Sequence, residues 1–321
     1  MRRTTTPTRP SGIEDLLDPA LAARLARLDL ASRKVFAGRL KGERRSKKRG
    51  ESVEFADHRP YVVGDDLRHI DWNVYARLDR LFLKLFMEEE DLSLHLVLDA
   101  SGSSDCGEPG KFLFMQRFAM ALGSIGLVNL NRVACTILGG HVRAGSADPS
   151  LAAPDSLPSI HSLRDLRGRR RMHDLARFLC SIEPAGDFDF RDAAKRLALS
   201  RRGKGVMVVL SDFFFDKGYE DGLRLLVGHG YDLVAIQVLS PQEIEPDVKG
   251  DLRLRDIESR GMAEVTISAP LLDRYRRTLE AYRDGLHQFC ARREITFLSV
   301  SSDADIEELV TGTLRRRGIL R

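Results

Sequence analysis

Three unbroken apolar runs constrain this chain more than any other feature: LSLHLVLD (92–99), GVMVVLSD (205–212) and YDLVAIQVLS (231–240). A strand with one wet face alternates apolar and polar residues, whereas a strand covered on both faces reads as continuous Val, Leu and Ile. Between these runs lie segments with apolar residues at helical spacing: KFLFMQRFAMALGSIGLV (111–128), RMHDLARFLCSI (171–182), DFRDAAKRLALSR (189–201) and DGLRLLVGHG (221–230). Strands that alternate with helices predict an α/β fold, a mostly parallel, doubly wound sheet. NRVACTIL (131–138) and ITFLSVS (295–301) supply further strands, and HVRAGS (141–146) reads as a short antiparallel return. SADPSLAAPDSLPS (146–159) reads as a loop. LRLRDIES and AEVTIS (252–259, 263–268) form a small β-hairpin insertion, followed by a long helix over 271–293 and a closing helix over 305–317.

The first third is organised differently. Residues 1–12 read as a flexible tail, 13–90 as an N-terminal helical and strand segment, and 91–321 as the α/β domain. RLFLKLFME (80–88) alternates like a strand that leads through EEED into LSLHLVLD. A hydrophobic content of 43% suffices for a core, and 31% charged residues with a mean hydropathy of −0.24 mark a water-exposed surface. No apolar stretch reaches the ~20 residues that cross a bilayer. MRRTTTPTRPSG lacks the apolar centre of a secretory signal. The expectation is a cytoplasmic protein without membrane contact. Cys106, Cys135, Cys180 and Cys290 have no metal-ligand spacing and read as reduced thiols.

The net charge is only +4 but unevenly spread, with seven Lys or Arg in RLKGERRSKKRG (39–50). Such a run can contact phosphates. No aromatic residues interleave with it as a base-stacking groove requires, which favours a solvated or protein-contacting loop. His58, Asp65, Asp66, Arg68, His69, Asp71 and Trp72 crowd one short segment without the spacing of a known ligand set. They read as a structural polar network around a turn rather than as acid and base. No nucleophile elbow, phosphate-binding loop or dinucleotide fingerprint is present.

Chemistry concentrates where the strands end. Ligands of open α/β sheets sit outside the carboxyl ends of the strands, and Asp99 and Asp212 both lie at such ends. Asp99, Ser101 and Ser103 follow at two-residue spacing. Either they cap the turn and helix that follow, or their oxygens serve a hard cation such as Mg²⁺.

The segment VEFADHRPYVVGDDLRHIDWNVYARLDRLFLKLFMEEED (53–91) resembles the core of the bacterial domain of unknown function family 58, which runs E-F-x-x-H-R-x-Y-x-x-G-D-D-x-R-x-I-D-W before a D-x-S-x-S strand end. DASGS (99–103) and VMVVLSDFF (206–214) are in turn similar to von Willebrand factor A domains. The resemblance implies a von Willebrand A-like sheet beside a family-specific N-terminal segment. It also implies a non-enzymatic protein-interaction role, with a MoxR-type AAA+ ATPase as partner. In the adhesive sites of such domains, hydroxyls and carboxylates hold Mg²⁺ or Mn²⁺, and an acidic group of the partner completes the shell. Carried onto this sequence, the metal set is Asp99, Ser101, Ser103 and Asp212. Phe188 stands where a third ligand, Thr, is expected, which leaves Asp187 or Asp189 to substitute. Ser104, Phe213 and Phe214 are the residues expected to meet a partner. The rival readings are a divalent-metal phosphoester hydrolase and nucleic-acid binding through 39–50.

Overall fold

The computed structural model describes residues 9–31, 55–63, 67, 70–86, 92–143, 160–199, 205–227, 231–248, 250–255 and 262–321. The chain forms two compact units, residues 39–91 and the remainder. In the smaller unit, β1 (Phe55–Pro60) and β2 (Phe82–Phe86) pair antiparallel. The alternating run over 80–88 thus ends in a two-stranded ribbon, and 87–91 lie outside the described residues. A helix over Trp72–Leu78 connects them, capped by Asp71, which accepts bonds from the N–H groups of Asn73 (3.0 Å) and Val74 (3.3 Å). His58 Nε2 lies 2.9 Å from the other oxygen of Asp71. Both carboxylate oxygens of Asp71 therefore do structural work, and a cap of this kind contributes ~1 kcal/mol. Asp65, Asp66, Arg68, His69 and the basic 39–50 run lie outside the described residues.

The larger unit contains β3 (Ser93–Ala100), β4 (Arg132–Gly139), β5 (His141–Val142), β6 (Ile160–Leu166), β7 (Ile182–Glu183), β8 (Gly205–Ser211), β9 (Tyr231–Leu239), β10 (Gly250–Arg255), β11 (Met262–Ile267) and β12 (Thr296–Ser301). Six of them form one sheet in the order β12-β9-β8-β3-β4-β6. All neighbours are parallel except the edge strand β6, which runs antiparallel to β4. This is the mostly parallel α/β sheet expected from the apolar runs. β5 pairs with β7, and β10 with β11 as the expected hairpin. The strand β6 was not legible beforehand.

Alternate residues of the central strands feed two cores. Leu94, Leu96 and Leu98 of β3 join Val206, Val208 and Leu210 of β8 on one face, while Val97 joins Met207 and Val209 on the other. The first face is covered by the Lys111–Val128 and Met172–Ser181 helices and by two short N-terminal helices, Ile13–Leu16 and Pro19–Leu25. Those N-terminal helices belong with the sheet, a different partition from the 13–90 segment expected from composition. Asp18 and Pro19 separate them, Asp18 accepting from Ala20 N–H at 3.0 Å. The second face carries the helices Phe190–Leu199, Glu220–Val227 and Ala269–Ala291.

The Lys111–Val128 helix is apolar on all sides because it is enclosed on nearly all sides. Gly126 allows that approach: a Cβ there would sit 2.8 Å from Val133 of β4. By length and composition this helix could cross a bilayer, but 83% of it is buried inside the fold, as befits a core helix. The closing segment starts as a helix at Ile306–Glu308 and continues as a π-helical turn over Leu309–Leu314. The four cysteines are free thiols, and three of them are buried.

Candidate functional site

The chain leaves the central strand β3 for β4 on one side and returns to β8 on the other. The order reverses there, which in open α/β sheets is the general place for a ligand. Asp99 is the penultimate residue of β3, and Asp212 directly follows β8, so sheet topology alone makes the two carboxylates neighbours at one rim. Both are 2% exposed.

Asp99 is held by neutral donors. Its Oδ1 accepts from Ser101 N–H at 2.9 Å and from Ser101 Oγ at 2.7 Å, and its Oδ2 accepts from Ser211 Oγ at 2.6 Å. Ser101 Oγ also lies 3.0 Å from Ser103 Oγ and 3.4 Å from Ser104 Oγ. The two-residue step is a local turn in which a carboxylate bonds the backbone ahead of it. Gly102–Asp105 then forms a single 3₁₀ turn, clamped by Arg9, whose guanidinium meets both oxygens of Asp105 at 2.7 Å. Burial raises the Asp99 carboxyl, and the nearby Asp212 charge adds to the effect. The hydroxyl bonds oppose both, and the group is pushed up to about 6.

Asp212 is held by a charge. Its Oδ2 accepts from Lys111 Nζ at 2.8 Å, and Lys111 Nζ also bonds Glu243 Oε1 at 2.6 Å. Lys111 is completely buried. Burial works against its charge, but the Asp212 and Glu243 carboxylates outweigh that penalty and hold the ammonium protonated above the ordinary lysine range. Glu243 sits in the turn after β9, where Ser240 and Glu243 form a reciprocal capping box. Beyond Asp212, Phe213 adopts a left-handed backbone (φ +61°). Phe213 N–H donates to Ser211 Oγ (2.8 Å), and Phe214 N–H donates to Asp212 Oδ1 (3.1 Å). The ring of Phe213 is buried among Phe190 and Phe215, and its carbonyl accepts from the Tyr282 hydroxyl.

The loop expected to supply a third ligand does reach the rim, since Gly102 N–H donates to Gly186 O at 2.8 Å and Ala185 N–H to Ala100 O at 3.0 Å. Phe188 turns inward and is buried against Phe215. Asp187 accepts from its neighbour's N–H, that of Phe188, at 2.7 Å. Asp189 is engaged elsewhere: it caps the following helix through Asp192 N–H (3.1 Å) and pairs with exposed Lys217 (2.7 Å), which holds its carboxyl below the usual range. Asp99, Ser101 and Ser103 thus share one hydrogen-bonded network; Asp212 acts on Asp99 through its charge but bonds Lys111 and Phe214 N–H, and Asp189 has partners of its own. Ser104 and Phe213 are also poor candidates for partner contact because they are fully buried, and only Phe214, 40% exposed, reaches the surface.

Lys111, Ser211 and Glu243 belong to the cluster although the sequence did not single them out. A lysine that opens a mostly apolar helix was the one available signal. The oxygens of Asp99, Ser101, Ser103 and Asp212 are hard donors of the kind Mg²⁺ or Mn²⁺ takes. With Glu243 they place three carboxylates beside one ammonium, which leaves room for further positive charge. The Phe188 side offers no ligand. Among the described residues, no group of three or more His, Cys, Asp or Glu side chains is arranged to hold a metal by itself, so a cation here depends on the serine hydroxyls.

Residues 57–144 and 161–284 match the family described as "Protein of unknown function DUF58". The uncharacterized protein Rv1480 of Mycobacterium tuberculosis is 30% identical over 314 residues, 95% of this chain and 93% of its own length. The uncharacterized protein Mb1516 of Mycobacterium bovis matches to the same extent, 30% over 314 residues, with the same 95% and 93% coverage. Among solved structures, the conserved hypothetical protein BatB from Bacteroides thetaiotaomicron superposes with a TM-score of 0.43 at 12% identity, covering 70% of this chain and 98% of that one.

Proposed function

The chain belongs to the DUF58 family, and from the geometry of its rim we propose that it is a non-enzymatic protein-interaction module that captures an acidic group of a partner through a divalent cation. The supporting observation is that Asp99, Ser101 and Ser103 cluster at the end of β3 while Asp212, whose charge acts on Asp99, follows the adjacent strand β8 at the strand-order reversal of one sheet. Those four residues would hold Mg²⁺ or Mn²⁺, which when bound supplies an electrophilic position for an outside carboxylate. The likeness to von Willebrand A adhesive sites rests on this donor set, and Phe188 departs from it.

The protein's own residues prepare the site. Ser211 and Ser101 fix the plane of the Asp99 carboxylate, and both serines keep oxygen lone pairs after bonding. The Arg9–Asp105 pair fixes the turn that presents Ser103, which is only partly buried. Phe214 stands exposed at the mouth of the turn after β8, and its ring packs 5.3 Å from that of Tyr282. It offers a partner an apolar contact beside the charged one. Each carboxylate of the rim is already committed to a donor, an arrangement suited to holding a ligand rather than to shuttling protons in hydrolysis.

A MoxR-type AAA+ ATPase is the first partner to test. Capture of a purified ATPase of this class by the full chain should require Mg²⁺ or Mn²⁺, vanish with a chelator and fail for Ser103→Ala. Capture that survives both treatments refutes the cation-bridged reading. Turnover of a generic phosphoester with Mn²⁺, lost in Asp99→Asn, would establish hydrolysis instead.

A further inference from the structure

Lys111 opens the most deeply buried helix of the fold, and its ammonium lies inside the rim rather than in solvent. A buried charge needs counter-charge, and Lys111 has two sources of it: Asp212 at 2.8 Å and Glu243 at 2.6 Å. The two partners differ in what else they do. Glu243 is fixed by its other oxygen, Oε2, which accepts from Ser240 N–H (2.7 Å) and Oγ (3.0 Å), and its own carbonyl accepts from the Tyr275 hydroxyl (2.7 Å). Asp212 is the partner that faces Asp99, close enough for its charge to act on that carboxyl. The lysine thus bridges a carboxylate of the rim and a carboxylate anchored behind it.

We infer that Lys111 is an internal competitor for the rim's cation: it withholds Asp212 from an incoming divalent ion, and Glu243 retains the ammonium when Asp212 turns to that ion. The inference rests on the reading of the rim as a cation site and names the residue that sets its affinity. A lysine head on a flexible four-carbon stem can exchange one carboxylate for another without leaving its pocket. The apparent affinity of the rim is then reduced by the fraction of molecules in which Lys111 holds Asp212.

Two substitutions should consequently act in opposite directions. Lys111→Met removes the competitor while keeping an unbranched side chain only one atom shorter. Glu243→Gln keeps the capping oxygen but removes the fallback charge, so Lys111 clings to Asp212. An ion pair that merely holds the fold together would not produce opposite signs.

The test uses the full chain with Mn²⁺ alone as the probe, near neutral pH, following the loss of the free-ion signal by electron paramagnetic resonance. Relative to wild type, Lys111→Met should bind about tenfold more tightly and Glu243→Gln several-fold more weakly. Equal affinities in all three proteins, or shifts of the same sign, overturn the role of Lys111 and leave the cation site standing. No Mn²⁺ binding by any of the three overturns the cation reading itself and the inference with it. If Lys111→Met does not fold alone, recovery of its folding transition on adding Mn²⁺ supports the inference, and lack of recovery opposes it. Glu243→Gln then decides: weaker binding supports the role of Lys111, and unchanged or tighter binding overturns it.

Discussion

Asp99 and Asp212 end adjacent parallel strands, are equally buried and belong to one cluster, yet the fold satisfies them by different means. Asp99 receives three hydrogen bonds from neutral groups, two from Ser101 and one from Ser211. Asp212 receives an ammonium. Neutral donors can satisfy every lone pair and still leave a charge uncompensated, which is why the Asp99 carboxyl is pushed up to about 6 by burial and by its charged neighbour. An ion pair removes the uncompensated charge but couples two side chains whose loss is costly. The rim therefore has one half whose charge is uncompensated, and one half that is locked by an ion pair.

The locked half should give the largest effect on stability. Lys111→Met strands Asp212 beside Glu243 without counter-charge, and removing one partner of a buried pair costs about 3–5 kcal/mol. Asp99→Asn should cost much less or nothing at neutral pH, because the Ser211 bond it disturbs is offset by removal of a buried charge. Urea unfolding of the two variants at neutral pH checks the order. Equal losses would show that charge compensation does not distinguish the two halves.

The uncompensated half should show itself in pH dependence. The folded-state pKa of Asp99, about 6, lies above its ordinary value of 3.8. A raised carboxylate contributes stability that is fully present below the unfolded value and is lost as pH rises through the folded one. Between about pH 4 and 6 the wild type should therefore lose on the order of 3 kcal/mol relative to Asp99→Asn, whose unfolding midpoint lacks this step. The difference between the two urea midpoints, followed from pH 4 to 7.5 in chelator, isolates it from the other carboxylates. Under the cation reading, Mn²⁺ should flatten the wild-type step, because a bound cation favours the ionised carboxylate. A step unaltered by Mn²⁺ separates the electrostatics of Asp99 from any role in holding a metal.

The same contrast explains what could be read in the sequence. The Asp99–Ser101 half was legible because its contacts lie two residues apart, within one turn. The central strands were legible because burial on both faces writes itself as continuous apolar sequence. Lys111 was not: its partners lie 101 and 132 residues away, and a lysine at the start of a helix ordinarily faces water. The edge strand β6 was missed because Arg164 and Asp165 are exposed and its register with β4 is broken between Val133 and Cys135, which erases the period-two pattern. The left-handed turn at Phe213 has no glycine or asparagine to announce it, and so that phenylalanine looked available for contact. Asp189 resembled a ligand by position, but its helix cap and Lys217 already claim it.

The smallest effect on stability should carry the largest functional information. Ser103 is only partly buried and touches Ser101 at 3.0 Å, while Ser101 supplies two of the bonds that hold Asp99. Ser101→Ala removes a hydroxyl donor from a buried carboxylate and should cost about 1–2 kcal/mol. Ser103→Ala leaves every bond of Asp99 and Asp212 in place and should cost no more than about 0.5 kcal/mol. If the uncompensated half of the rim binds a cation, Ser103→Ala loses one ligand of the ion, so Mn²⁺ binding should fall while the urea midpoint barely moves. If the serines serve only to cap the turn, Ser101→Ala is still the costlier change in stability, but Ser103→Ala is silent in both measurements. Measuring affinity and stability on the same two variants thus separates a turn that merely ends a strand from one that presents oxygen to an ion.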